Sequence, residues 1–189
     1  MATHVALLRG INLGGRNKVA MADLRAVAGE LGHTDVSTYI QSGNVLFSAA
    51  ADADVGAMAL AMTEAIAAKL GVVAPVIVLT RDELARVIAD NPFPAEDDPK
   101  RVHAVVLTEP PSPELAGKLD AAIAQFAAKG ARDEMAAIGR TLYVHTPDGY
   151  GTSDLAQSVM RIVSSPKAGV TGTARNWATV TKLLSLCDA

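Results

Sequence analysis

The sequence predicts an α+β protein built from two similar halves, each with the element order βαββα and an antiparallel sheet covered by helices. Two patterns support this fold class. Short apolar or β-branched segments, typical of strands, alternate with segments in which apolar residues recur every three or four positions, as on helices. The whole alternation then occurs a second time within the 189 residues. An apolar content of 50% is ample for a core in each half.

The first half is predicted to span residues 1–91. Its elements are a buried strand at 4–9, a helix at 21–31, a hairpin of strands at 36–40 and 45–47, a helix from 52 to 70 and a strand at 74–79. We expect Asp52 to cap the second of these helices and Gly71 to end it. Thr80 and Glu83 have the spacing of a capping box, which predicts one more helix. The order βαββαβ is that of the ferredoxin-like fold.

The second half is predicted to span residues 100–189, after an acidic, proline-rich linker at 92–99. Its elements are a strand at 102–107, a helix after Ser112, strands at 134–138 and 141–145, a helix capped by Thr152 or Ser153, and a last helix at 173–186. No final strand is evident before that helix. We therefore expect the two halves to be inequivalent, with the second half ending in a helix where the first half has a strand.

Charge and composition narrow the classes of partner. The net charge of −3 and the 4% aromatic content disfavour a nucleic-acid-binding module, which needs cations for phosphates and rings for bases. No leader sequence and no stretch of about 20 apolar residues is evident, so we expect a cytoplasmic protein without a membrane partner. The lone Cys187 cannot form an intramolecular disulfide. It is more typical of a small buried residue than of a nucleophile.

Three motifs contain most of the distinctive residues: LRGINLGG at residues 8–15, TYIQSGN at 38–44 and TARNW at 173–177. They resemble motifs of the domain-of-unknown-function 1697 family, a family of uncharacterised bacterial proteins. Together they extend along nearly the whole chain. Ala174 and Ala178 depart from the family pattern, where threonine and asparagine are common. The resemblance implies a tandem ferredoxin-like fold and no established activity, and it supplies no catalytic residue.

The strongest candidate site is the glycine-rich segment between the first strand and the first helix. A helix N-terminus attracts anions, and glycines let a ligand approach the backbone. The segment matches neither a Walker A loop nor the Gly-x-Gly-x-x-Gly pattern. The alternative is a structural connection in which the glycines adopt positive φ. The candidate ligand-binding residues here are Arg9, Gly10, Asn12, Gly14, Gly15, Asn17 and Lys18.

Two further groups of residues are candidates. Tyr39, Gln41, Ser42 and Asn44 lie at a predicted hairpin tip, where turn chemistry is the alternative explanation. Arg175 and Asn176 are expected to open the last helix. An arginine is unfavourable at a helix N-terminus, which suggests an anionic ligand or a carboxylate partner. We expect any function to lie where that helix meets the first half.

No catalytic group, metal site or cofactor is indicated. His4, His33, His103 and His145 lie in separate segments without metal-type spacing. No His–Asp pair is visibly arranged to activate Ser42. The best hypothesis is a binding protein for a small anionic, phosphate- or nucleotide-like ligand. The alternatives are a nucleic-acid-binding module, a self-associating homodimer with open sheet edges, and an enzyme whose residues are not evident.

Overall fold

The computed structural model describes all 189 residues and contains eight strands and six α-helices. The chain divides into two compact units. One comprises Met1–Arg86 with Thr181–Ala189, and the other comprises Val87–Val180. The linker at 92–99 stays a prediction. None of the helices combines the length and the apolar character needed to cross a membrane.

The first unit contains a four-stranded antiparallel sheet of order β2-β3-β1-β4. Its elements are β1 (His4–Leu8), α1 (Met21–Glu30), β2 (Thr34–Tyr39), β3 (Asn44–Ser48), α2 (Val55–Leu70) and β4 (Val76–Thr80). Alternate strand residues such as Ala6 and Phe47 pack with Leu24 of α1 and with Met62 and Ile66 of α2 in one core. The intervening residues of β1 are buried as well, so both faces of the central strand are covered.

Capping residues close in sequence determine where α2 begins and ends and where the helix after β4 begins. The side chain of Asp54, and not that of Asp52, caps α2 by accepting a hydrogen bond from the Ala57 amide at 2.7 Å. Gly71 ends α2 in the left-handed region, as predicted. After β4, the Glu83 carboxylate accepts from the Thr80 amide at 2.9 Å and the Thr80 hydroxyl accepts from the Glu83 amide at 3.1 Å. The predicted capping box is therefore confirmed, and it starts α3 (Arg81–Ala89).

The second unit contains a sheet of the same design, with order β6-β7-β5-β8 and antiparallel pairs throughout. Its elements are β5 (Val102–Leu107), α4 (Pro113–Ala127), β6 (Glu134–Ile138), β7 (Thr141–His145), α5 (Asp154–Val163) and β8 (Gly172–Asn176), and α6 (Trp177–Cys187) follows. Val105, Leu142 and Val144 pack against Leu119 of α4 and Val159 of α5. Both units thus have the ferredoxin-like strand order.

The prediction that the second half lacks a final strand is wrong. Residues 173–176 form most of β8, paired with β5, and the last helix begins only at Trp177. The strand escapes detection because Ala174 is the only apolar residue in its five positions. The first residue of β8 is Gly172. A side chain would not fit there, because a Cβ would lie 2.8 Å from the Leu107 side chain.

Candidate functional site

The glycine-rich segment after β1 folds into a miniature hairpin. The backbone amide of Asn12 donates to the backbone carbonyl of Asn17 at 3.0 Å, and the backbone amide of Arg16 donates to the carbonyl of Leu13 at 3.0 Å. Gly14 and Gly15 form the tip with φ of 55° and 79°. Two consecutive left-handed residues are the geometry of the tight turn that favours glycine, which explains the Gly-Gly pair.

The side chain of Asn12 joins this hairpin to its surroundings. Its Nδ2 donates to the Val19 carbonyl at 3.0 Å and to the Gln41 carbonyl at 2.9 Å. Its Oδ1 accepts from the Val19 amide at 2.9 Å. Asn17 similarly donates to the Gly10 carbonyl at 3.0 Å. Both asparagines have positive φ, and asparagine is enriched in that region. The side-chain amides of these two asparagines therefore hold the hairpin in place.

The hairpin is not continuous with a helix N-terminus. Helix α1 starts at Met21, with Ala20 as an N-cap that supplies no side-chain hydrogen bond. Asp23 lies in the first turn, where its negative charge offsets the partial positive charge of the helix N-terminus. The glycines are six residues away, on the hairpin tip. An anion at the tip would therefore be held by hairpin amides and side chains, without the field of α1.

The turn between β2 and β3 lies against the start of this segment. Gly43 has φ of 78°, its carbonyl accepts from the Leu8 amide at 2.8 Å, and a Cβ there would lie 2.7 Å from the Leu8 Cβ. The buried Asn44 donates to the Tyr39 carbonyl at 2.9 Å and to the Ser42 hydroxyl at 3.0 Å. Gly43 and Asn44 thus have structural roles that explain the turn sequence.

The sequence did not single out two exposed apolar residues at this site. Leu13, beside the glycines, is 65% exposed. Ile40 is 49% exposed and has φ of 50°, a conformation that is strained for a β-branched side chain. The sequence does contain a signal for Leu13, since an apolar residue between a polar residue and two glycines is unusual enough to be noticed. Nothing in the sequence signals the left-handed backbone at Ile40.

The remaining candidates of this region differ in exposure. Lys18 and Gln41 are exposed, as is Arg16, while Arg9 and Tyr39 are half-buried. Ser42 is half-buried and forms the hydrogen bond with Asn44 described above. The groups that reach solvent around the tip are therefore cationic or neutral. No carboxylate occurs between residues 9 and 22.

Arg175 and Asn176 lie on β8 in the second unit. The expectation that Arg175 opens a helix is wrong, because Arg175 pairs with Ala104 within the sheet. It is only 8% exposed, and its hydrogen bonds include donation to the Thr173 hydroxyl at 2.9 Å and the Ala174 carbonyl at 2.8 Å. Burial lowers the pKa of its guanidinium to about 10. Asn176 caps α6 by accepting from the Thr179 amide at 2.8 Å. A role for either residue in ligand binding stays a prediction.

Neighbouring groups define the surroundings of Cys187 and of two histidines. Cys187 is buried, and burial raises the pKa of its thiol, so the thiol is protonated at neutral pH. His145 bonds to Glu96 at 2.9 Å, and His103 stacks on Tyr150 with ring centroids 3.8 Å apart. Across the described chain, no three His, Cys, Asp or Glu side chains are grouped so that they could hold a metal ion.

These features define a tandem ferredoxin-like α+β protein with a braced polar hairpin on its first unit. The family model described as a protein of unknown function (DUF1697) matches residues 1–143, and the chain belongs to that family. The solved structure of conserved bacterial protein SP0830 from Streptococcus pneumoniae is similar, with a TM-score of 0.69 and 22% identity. The match covers 100% of this chain and 99% of that one, and it shows the shared fold. No curated protein matches the chain.

Proposed function

We propose that the chain is a cytoplasmic binding protein for a small anionic, phosphate- or nucleotide-like ligand, held at the hairpin of residues 12–17. The observation that carries this proposal is the three-way hydrogen bonding of the Asn12 side chain. It ties the hairpin to the neighbouring turn and so holds an exposed Gly14–Gly15 tip in one geometry. A preorganised tip loses less conformational entropy when a ligand binds than a free loop would.

The charge distribution supports an anionic ligand. Arg9, Arg16 and Lys18 lie within ten residues that contain no carboxylate, in a chain whose net charge is −3. The left-handed glycines lack side chains that would cover the backbone amides at the tip, and nothing lies within 4 Å of the positions where their Cβ atoms would be. Backbone amides and cations together are the usual recognition groups for phosphate.

A binding experiment with charge-neutralised variants tests this proposal. Titrating inorganic phosphate and AMP by calorimetry should give saturable binding that falls at least several-fold in Arg16→Gln/Lys18→Gln. The control is Lys182→Gln, an exposed lysine on α6. Absence of binding to both probes, or equal losses in the control, would overturn the proposal.

The nucleic-acid alternative loses support from the burial of the sheet. A ferredoxin-like module that stacks bases on its sheet needs an exposed face with aromatic side chains. In the first unit, β1 is fully buried, and β3 and β4 are buried at four of their five positions. No free central face remains there for bases to stack on.

Self-association has one specific observation in its favour, the contrast between the two edge strands. The β2 edge has a register shift between Thr34 and Ser37, a device that protects edges from pairing. The β6 edge pairs with β7 in continuous register from Glu134 to Ile138 and has no such irregularity. If β6 pairs with a second copy, Ala137→Lys should lower the sedimentation-derived association constant while Ser37→Lys on β2 leaves it unchanged. A monomer at all concentrations would exclude this candidate.

A further inference from the structure

A cavity of about 480 Å³ lies in the first unit, away from the hairpin. It lies beside the start of β1, the first turn of α3 and the end of α6, so its lining includes Thr3, Thr80, Arg81 and Cys187. Its volume is within the range of small-molecule sites, about 300–1,000 Å³. The first-unit hairpin residues do not line it, so the cavity is separate from the site proposed above.

The buried part of the cavity lining is electrically neutral. His4 is 2% exposed and Cys187 is 1% exposed, and both line the cavity. Burial lowers the pKa of His4 and raises the pKa of Cys187, so at pH 7 the imidazole carries no charge and the thiol keeps its proton. Ala2 and Ala51 add apolar surface to the lining. This floor suits an uncharged, apolar group.

The exposed rim carries the guanidinium of Arg81 and the carboxylates of Asp82 and Asp188. Arg81 donates from Nε to Asp188 Oδ1 at 2.9 Å, from Nη2 to Asp188 Oδ2 at 3.2 Å and from Nη1 to Asp82 Oδ1 at 3.1 Å. One guanidinium is thus shared by two carboxylates. The pairing holds the pKa of Asp188 below its usual range, so this carboxylate stays ionised.

The helix ends beside the cavity add to this polarity. Helix α6 ends at Cys187 without a basic residue in its last turn, so its partial negative charge is uncompensated within the helix. Helix α3 begins at Arg81, but Asp82 and Glu83 in its first turn offset its partial positive charge. The two helix ends therefore add negative rather than positive potential at the rim.

We propose that this cavity binds a small amphiphilic cation, with an apolar body against the floor of His4 and Cys187 and an ammonium group at the Asp188 rim. The carboxylate oxygens of Asp188 each retain acceptor capacity beyond the bond from Arg81. An ammonium group can therefore join the existing ion pair without breaking it. An anion would have to compete with both Asp82 and Asp188 for Arg81.

Three six-carbon probes of different charge test the proposal: n-hexylammonium, n-hexanol and hexanoate. Heteronuclear NMR follows the amides of Thr3, Ala51 and Asp188, and the rate at which a thiol reagent modifies Cys187, the single cysteine, gives a second readout. We expect hexylammonium to shift these amides and slow the modification, hexanol to bind more weakly and hexanoate weakest. Asp188→Asn should weaken hexylammonium about two- to five-fold, the size expected of a partly exposed charge pair.

Asp23→Asn, on α1 and outside the cavity lining, is the matched control and should leave hexylammonium binding unchanged. Melting temperatures of both variants confirm that they fold. Hexanoate binding as tightly as hexylammonium, or an unchanged affinity in Asp188→Asn, would overturn the assignment of charge. No response at the cavity amides to any probe would overturn the cavity as a binding site.

Discussion

Replacement of Asn12 measures how strongly the hairpin of residues 12–17 is braced. The side chain makes three hydrogen bonds at 2.9–3.0 Å and is half-buried. At roughly 0.5–1 kcal/mol for each bond, Asn12→Gly should lower the free energy of unfolding by about 2 kcal/mol. Asn12→Ala should cost about 1 kcal/mol more, because its φ of 54° is strained for alanine and not for glycine.

The comparison of these two variants separates side-chain bonding from backbone strain. Equilibrium urea denaturation gives both free energies, with Asn17→Gly as a reference that loses the single bond to the Gly10 carbonyl, worth about 1 kcal/mol. If the free energy of unfolding of Asn12→Gly lay within about 0.5 kcal/mol of the wild-type value, a margin typical of surface substitutions, the Asn12 side chain would not brace the hairpin. Equal effects of Asn12→Gly and Asn12→Ala would refute the strain component.

Three further substitutions have expected outcomes that unfolding experiments can check. Gly43→Ala should destabilise the protein by about 3 kcal/mol or more, because its Cβ would lie 2.7 Å from the Leu8 Cβ and its φ is 78°. A decrease in the free energy of unfolding of less than about 1 kcal/mol would contradict the close approach of the turn to β1. Asp54→Ala should lower the free energy of unfolding by about 1 kcal/mol because it removes the α2 cap, whereas Asp52→Ala should be nearly neutral. The reverse order would show that Asp52 caps α2, as the sequence predicts. Burial lowers the pKa of His103 to about 4, so the folded state resists protonation and stability should fall as the pH drops from 6.5 towards 4. The part of the loss due to His103 is at most about 3 kcal/mol for that shift, reduced by partial exposure. His103→Phe, which keeps an aromatic ring against Tyr150, should lose correspondingly less stability over this pH range. An imidazole NMR titration with a midpoint near 6.5, the ordinary histidine value, would contradict it.

Elements whose signals are local were predictable from the sequence. The capping box of Thr80 and Glu83 involves residues three positions apart, and Gly71 marks its own helix end through its backbone freedom. The two halves were visible because the apolar periodicities of their longer strands and helices are strong. The cap of α2 was misplaced by two residues because Asp52 and Asp54 are both suitable N-cap residues, and only the observed helix start distinguishes them.

Features that depend on distant partners were not predictable. Strand β8 exists because it pairs with β5, more than 60 residues earlier, and its own sequence has little apolar alternation. Asn12 was identified as a candidate ligand residue, but its bond to the Gln41 carbonyl spans 29 positions and has no sequence pattern. The cavity beside Arg81 and Asp188 joins residues 107 positions apart, so the sequence could not indicate it.

A backbone NMR titration with inorganic phosphate tests the proposed ligand site most directly. We expect the amides of Gly14, Gly15 and Lys18 to shift together and to saturate with one dissociation constant. In Asn12→Gly, which releases the hairpin from Val19 and Gln41, the same shifts should need higher phosphate concentrations. Phosphate-dependent shifts that avoid the hairpin, or an unchanged dissociation constant in Asn12→Gly, would contradict the claim that a braced hairpin holds an anion.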